Sequence, residues 1–170
     1  MGVLTHINER GEARMVDVAA KDKTKRVAVA GGFISMSKET YDTIVNGSAK
    51  KGDVLAAARI AGIMAAKKAS GLIPLCHPLS LTKVEVKCEP KIAEDAGETR
   101  YGVYVTTTCS LVGKTGVEIE AVTATSIALV TIYDMCKAID RSMVIEAVQV
   151  LHKEGGKSGT WDFPSRLAFA

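Results

Sequence analysis

Hydrophobic and polar positions along the chain change period several times, and each change marks an element. Val27, Val29, Phe33, Ile34 and Met36 predict a strand from Arg26 to Met36, bent or bulged at Gly31-Gly32. Ser37 is a helix N-cap residue and Gly47 a C-terminal glycine, which frames a short helix between them. A second helix starts near Asp53 and runs through the alanine-rich segment Val54–Lys68, with Leu55, Ala58, Gly62 and Ala65/Ala66 along one side. Small residues on that side permit close packing on a sheet or on another helix. Leu81–Cys88 reads as a strand, with Pro90 and the polar Glu94–Glu98 segment as the turn after it. Thr99–Val112 is the returning strand of an antiparallel hairpin, Val103, Val105, Thr107 and Cys109 sharing a face. The longest helix follows from about Val117 to Ile139, and Met143–Leu151 supplies a last strand.

The order strand, helices, strand, strand, helix, strand is the βαββαβ arrangement of a ferredoxin-like α+β sandwich: an antiparallel sheet with helices on one face. The other face is left to solvent or to a second subunit. Residues 1–24 form an N-terminal arm, patternless except for the strand-like Met15-Val16-Asp17-Val18, whose order depends on what it packs against. Residues 25–159 make up one domain, and 160–170 a tail with little to constrain it.

At 170 residues the chain can bury a core without disulfides or metals. A net charge of +3 with no basic stripe argues against a nucleic-acid surface. Instead, lysines recur beside glycines, in Lys50-Lys51-Gly52, Gly113-Lys114-Thr115-Gly116 and Gly155-Gly156-Lys157-Ser158-Gly159, a pattern suited to a small anion. The same lysines also read as ordinary solvated loop positions. The four cysteines are widely spaced with no C-x-x-C pair, so neither a zinc site nor a redox motif is indicated, and no uncharged run approaches a membrane span. Cytoplasm is the expected compartment.

Three stretches carry candidate chemistry. Asp134 and Lys137, three residues apart at the end of the long helix, share a face; they read either as an exposed ion pair or as an acid–base pair. Two prolines fix the backbone around Cys76-His77, a structural turn or a rigid ligand wall. Neighbouring residues on an extended chain point apart, so Cys76 and His77 are poorly placed to activate one another. Gly113-Lys114-Thr115-Gly116 fails the Walker A pattern, because Thr108 stands where the first glycine is required, and Leu151 fails it for Gly156-Lys157-Ser158. Glu118 and Glu120 suit the start of the long helix through its dipole. Glu120 and Asp134 are fourteen residues apart, roughly 21 Å along a helix. A single small ligand does not bridge that distance within one subunit, so if both serve one site, neighbouring subunits supply its parts.

Together, Met15–Val18, Lys51–Val54, Ala58–Gly62, Ile73–Leu79, Lys83–Val86, Gly113–Glu118, Glu120-Ala121, Thr131–Ala138 and Gly155–Gly159, with Leu4–Asn8 before them, make the chain closely resemble the cyclic pyranopterin monophosphate synthase family, protein C of molybdenum cofactor biosynthesis. The resemblance spans almost the whole chain. It implies a lyase that converts 3′,8-cyclo-7,8-dihydroguanosine 5′-triphosphate to a pyranopterin with a cyclic phosphate and releases diphosphate. It also implies a homohexamer, a trimer of dimers with the active site at a dimer interface. On that resemblance Asp134 is the acid–base residue, Lys137 its proton-donating or charge-stabilising partner, and Lys51 a third catalytic position. Leu75, Cys76, His77, Ile119 and Glu120, with Glu118 beside them, bind base and sugar. Arg26, Lys51, Lys114, Lys153 and Lys157 are assigned to the triphosphate. No cofactor is required, though magnesium could accompany the triphosphate; neither nucleic acid nor membrane is a partner. Ile119 stands where the family usually has methionine, and Glu154 where a small residue often follows Lys153. The competing reading is a non-enzymatic module that binds a small regulator at a subunit interface; a phosphate-loop hydrolase is disfavoured by the failed Walker tests.

Overall fold

The computed structural model describes residues 7–8, 10–95 and 98–164; Leu4–His6, the tip of the predicted turn at Ala96-Gly97 and the last six residues lie outside them. In chain order the elements are β1 (Thr24–Met36), α1 (Lys38–Val45), α2 (Val54–Leu72), β2 (Lys83–Asp95), β3 (Glu98–Gly113), α3 (Glu118–Cys136), β4 (Val144–Glu154) and β5 (Trp161–Asp162). The strands form one antiparallel sheet in the order β2-β3-β1-β4-β5. This is the ferredoxin-like arrangement read from the sequence, with one short strand added at an edge.

Local signals place the helices. Ser37 caps α1 by accepting from the Thr40 N–H, and Asp53 caps α2 by accepting from the Ala56 N–H. Pro74 disfavours helical backbone at the residue before it, so α2 ends at Leu72 and Ile73 is extended at φ −109° and ψ 113°.

β1 is the axis of the sheet. It pairs with β3 without a break from Thr24↔Gly113 to Met36↔Tyr101, whereas its pairing with β4 slips twice, between Val29 and Ala30 and between Gly31 and Phe33. The expected irregularity at Gly31-Gly32 is thus a bulge whose extra residues lie on β4, where Ala147 takes φ 52°. These two glycines also let neighbours close in: a β-carbon on Gly31 would meet the Tyr104 hydroxyl at 2.5 Å, and one on Gly32 would meet Leu129 at 2.8 Å.

The helices lie on one face of the sheet. Ala28, Ala30, Ile34, Val103, Val105, Thr107 and Cys109, all buried, point at α3 and α2. The small side of α2 turns out to meet another helix: a β-carbon at Gly62 would lie 3.1 Å from the Ala124 carbonyl and 3.4 Å from Ala128 Cβ. α3 is long and apolar enough to cross a membrane by composition, yet Ala121, Ala124, Ala128, Leu129 and Ile132 are fully buried in the core. On the opposite face Phe33 and Tyr104 are buried, with the Arg100 guanidinium 5.6 Å from the centre of the Phe33 ring.

Three expectations need correction. Met15–Val18 is not a strand; among the described residues the arm is irregular, with one bridge between Ile7 and Ala13. Pro90 does not turn the chain but lies inside β2 opposite Val103, tolerated because β2 is an edge strand. The tail is not loose at its start, since Trp161-Asp162 pair with Lys153 and His152 as β5.

Candidate active site

One end of the helical layer meets the loops after α2, β3 and β4 and the N-terminal arm, and between them lies a cavity of about 860 Å³. Of the eleven residues read as ligand-binding, ten line it, namely Arg26, Leu75, Cys76, His77, Lys114, Glu118, Ile119, Glu120, Lys153 and Lys157; Lys51, also assigned to the triphosphate, does not.

Its acidic side is buried. Glu120, in the first turn of α3, is only 3% exposed, and loss of solvent is the main cause holding its carboxyl above the ordinary glutamate range. Cys76 Sγ donates to Glu120 Oε1 at 3.2 Å. Burial, and then the glutamate beside it, push the Cys76 thiol up to about 12. At neutral pH Cys76 is therefore a hydrogen-bond donor and not a nucleophile. His77 turns elsewhere, its Nε2 2.8 Å from the Val16 carbonyl, so the two neighbours do not activate each other.

The basic side is built on strand ends and glycine turns. Arg26, near the start of β1, is 8% exposed, and its Nε donates to the Gly113 carbonyl at 3.4 Å. Among the described residues no carboxylate is ion-paired with it. The turn after β4 passes so close that a β-carbon on Gly156, at φ 81°, would lie 1.8 Å from Arg26 Nη1. Lys153 pairs with Glu118 at 2.5 Å inside the cavity, and Lys114 donates to the Ala19 carbonyl. Glu154 is not in the cavity wall; it pairs with Lys25 at 3.4 Å.

The remaining three predicted residues meet at the far end of α3. Asp134 Oδ1 is 2.6 Å from Lys137 Nζ, and Lys51, carried by the turn before α2, reaches Asp134 Oδ2 at 3.3 Å and its main-chain carbonyl at 2.9 Å. Hydrogen bonding from Lys137, then from Lys51, holds the Asp134 carboxyl below the usual aspartate range and raises the Lys137 ammonium in turn. Both are about half exposed, 56% and 52%, and stand outside the cavity of their own chain. The fourteen-residue separation is therefore a real division: the cavity residues at one end of α3, the Lys51–Asp134–Lys137 cluster at the other.

The arm was not read as part of the site. Val16, Val18, Lys21, Asp22 and Thr24 line the cavity, and the available signal was the apolar alternation of Met15–Val18, which marks packing against the loops instead of pairing in a sheet.

A sequence profile described as the MoaC family matches residues 15–156. A cyclic pyranopterin monophosphate synthase of Novosphingobium aromaticivorans is 57% identical over 161 residues, covering 95% of this chain and 98% of the relative. A protein of the same name from Rhodospirillum rubrum is 53% identical over 158 residues, covering 93% and 92%. With the profile spanning both most of the cavity wall and the Asp134 cluster, and relatives this similar over nearly their full length, the chain belongs to the MoaC family.

Proposed function

We propose that this chain is a lyase of molybdenum cofactor biosynthesis, converting (8S)-3′,8-cyclo-7,8-dihydroguanosine 5′-triphosphate to cyclic pyranopterin monophosphate with release of diphosphate. The observation that carries the reading is the cavity itself: a buried guanidinium at one side, ion-paired to no carboxylate among the described residues, and a buried carboxyl with a thiol donor at the other. That polarity matches a ligand with a triphosphate at one end and a ring bearing N–H groups at the other. Arg26, Lys114 and Lys157 take the phosphates, with Lys153 recruited from Glu118 as the anion arrives; charge-assisted contacts also stabilise the departing diphosphate. Leu75, Cys76, His77, Ile119 and Glu120 hold base and sugar.

Asp134 is held ionised and Lys137 protonated, so one accepts a proton and the other donates one or stabilises developing negative charge. Lys51 fixes the carboxylate between them. Because these groups lie roughly 21 Å along α3 from Glu120, the complete site takes its binding end from one protomer and its acid–base end from a neighbour. The assembly is a homohexamer, a trimer of dimers, in the cytoplasm. No resident cofactor is required, and magnesium enters, if at all, as the triphosphate's counter-ion.

Incubating the purified protein with the cyclic triphosphate, and detecting pyranopterin and diphosphate in equal amounts, tests the assignment. Tight binding without products, from a correctly assembled particle, would turn the reading to a binding module.

A further inference from the structure

Two side chains of the cavity wall are tied to the main chain of the N-terminal arm. His77 Nε2 lies 2.8 Å from the Val16 carbonyl, and Lys114 Nζ donates to the Ala19 carbonyl. A carbonyl oxygen only accepts, so the hydrogen between His77 and Val16 sits on Nε2. Neutral imidazole carries one N–H, which leaves the lone pair on Nδ1.

We propose that residues 16–19 are a positioning element for the site: the Val16 carbonyl fixes His77 as the Nε2–H tautomer, making Nδ1 the nitrogen that accepts from the ligand, and the Ala19 carbonyl holds the Lys114 ammonium at the cavity wall. The arm presents these oxygens through a turn of its own. Asp17 Oδ1 accepts from the Ala19 N–H at 2.8 Å, and the Lys21 N–H donates to the Val18 carbonyl at 3.1 Å. Asp17 does not line the cavity, so it acts only through the turn. A flexible histidine would divide its population between tautomers, and only one of them offers a base at Nδ1. This deepens the synthase reading and rests on it for the kinetic consequence; the tautomer itself is read without substrate.

The test is nitrogen-15 correlation spectroscopy on histidine-labelled full-length protein at alkaline pH, where the ring is neutral. The chain has three histidines, and a His77→Gln sample identifies the resonances of His77. The wild type is expected to show a single Nε2–H pattern for His77, and Asp17→Ala a mixture of tautomers. Asp17→Asn, whose amide oxygen can accept the same Ala19 N–H, is expected to restore the single pattern. In turnover of the cyclic triphosphate, Asp17→Ala should lower kcat/KM about tenfold while Asp17→Asn stays within about twofold of wild type. An Nδ1–H ring in the wild type, or a tautomer unchanged by Asp17→Ala, overturns the inference. The expected tautomers in a protein that makes no pyranopterin would sink the synthase reading and leave the arm's role standing.

Discussion

A β-carbon at Gly156 would lie 1.8 Å from Nη1 of Arg26, so the turn after β4 holds the buried guanidinium in place by the absence of a side chain. Gly156→Ala should therefore displace Arg26 as well as strain a backbone at φ 81°. We expect KM for the triphosphate to rise roughly tenfold, about the loss of one charge-assisted contact. Gly159 is the control: its φ is 66° but no atom stands within 4 Å of the added carbon, so Gly159→Ala should cost stability and leave KM nearly unchanged. Steady-state kinetics with thermal melts separate the two effects.

Asp134→Asn keeps the shape of the Lys51–Asp134–Lys137 cluster and removes the proton acceptor proposed for it. Turnover should fall by about 10² to 10⁴, the usual contribution of a positioned acid–base group, with ligand affinity retained. Calorimetric titration with the cyclic triphosphate beside a product assay checks both halves. Unchanged turnover would rule out Asp134 as the base.

The proposed division of the site between protomers has a sharper consequence. Asp134→Asn and Glu120→Gln chains, each inactive alone, should recover activity when unfolded and refolded together. Random pairing gives one intact site in half of the dimers, about a quarter of wild-type activity. No recovery from a mixed, correctly assembled particle would mean that one chain supplies both ends.

Glu120 makes stability depend on pH in a definite direction. Its folded carboxyl is raised above the ordinary value near 4.5, chiefly by burial, so between those two points the folded state binds more protons than the unfolded one. Stability from this group is complete below the ordinary value and is lost as pH rises through the raised one. Glu120→Gln should melt progressively higher than wild type as pH increases across that window. Parallel melts of the two proteins measure the difference, and a gap that does not change with pH would refute it.

The helix pair responds to size at one position. Gly62→Val puts two methyl groups against the Ala124 carbonyl and Val86, both 3.1 Å from where its β-carbon would stand, and should cost about 1–3 kcal/mol. Denaturant unfolding would register it as a shifted midpoint.

Most of this architecture was legible because its signals are local. Ser37 ahead of the short helix, Asp53 ahead of an alanine-rich run, and the alternation of Val103, Val105, Thr107 and Cys109 each act within a few residues, and each was realised. Pro90 misled because a proline stops a strand only where its N–H is needed, and which strand lies at the edge is decided by the whole sheet. Met15–Val18 misled for a related reason: alternation shows that one side is apolar, not whether a sheet or a group of loops covers it. At the site, the glycine-flanked lysines and the proline-bound Cys76-His77 also read as ordinary loop and turn positions, and it was the family resemblance that assigned Lys114, Lys157, Cys76 and His77, with Arg26, Ile119 and Lys153, to the ligand. The arm's part in that wall depends on carbonyl oxygens, which every sequence contains and none advertises.

The long outer strand β2 also bears on how the molecule behaves in a crowded solution. Its outward face carries Lys83, Glu85, Lys87, Glu89 and Lys91 in alternating sign, with ion pairs such as Lys83–Glu85 at 2.9 Å, and Pro90 lies within the strand. A stray extended segment that tried to lengthen the sheet there would meet a picket of charges beside a proline. Replacing Pro90 and Lys87 with valines would open this margin to edge-to-edge aggregation, a failure the native strand resists by its composition alone.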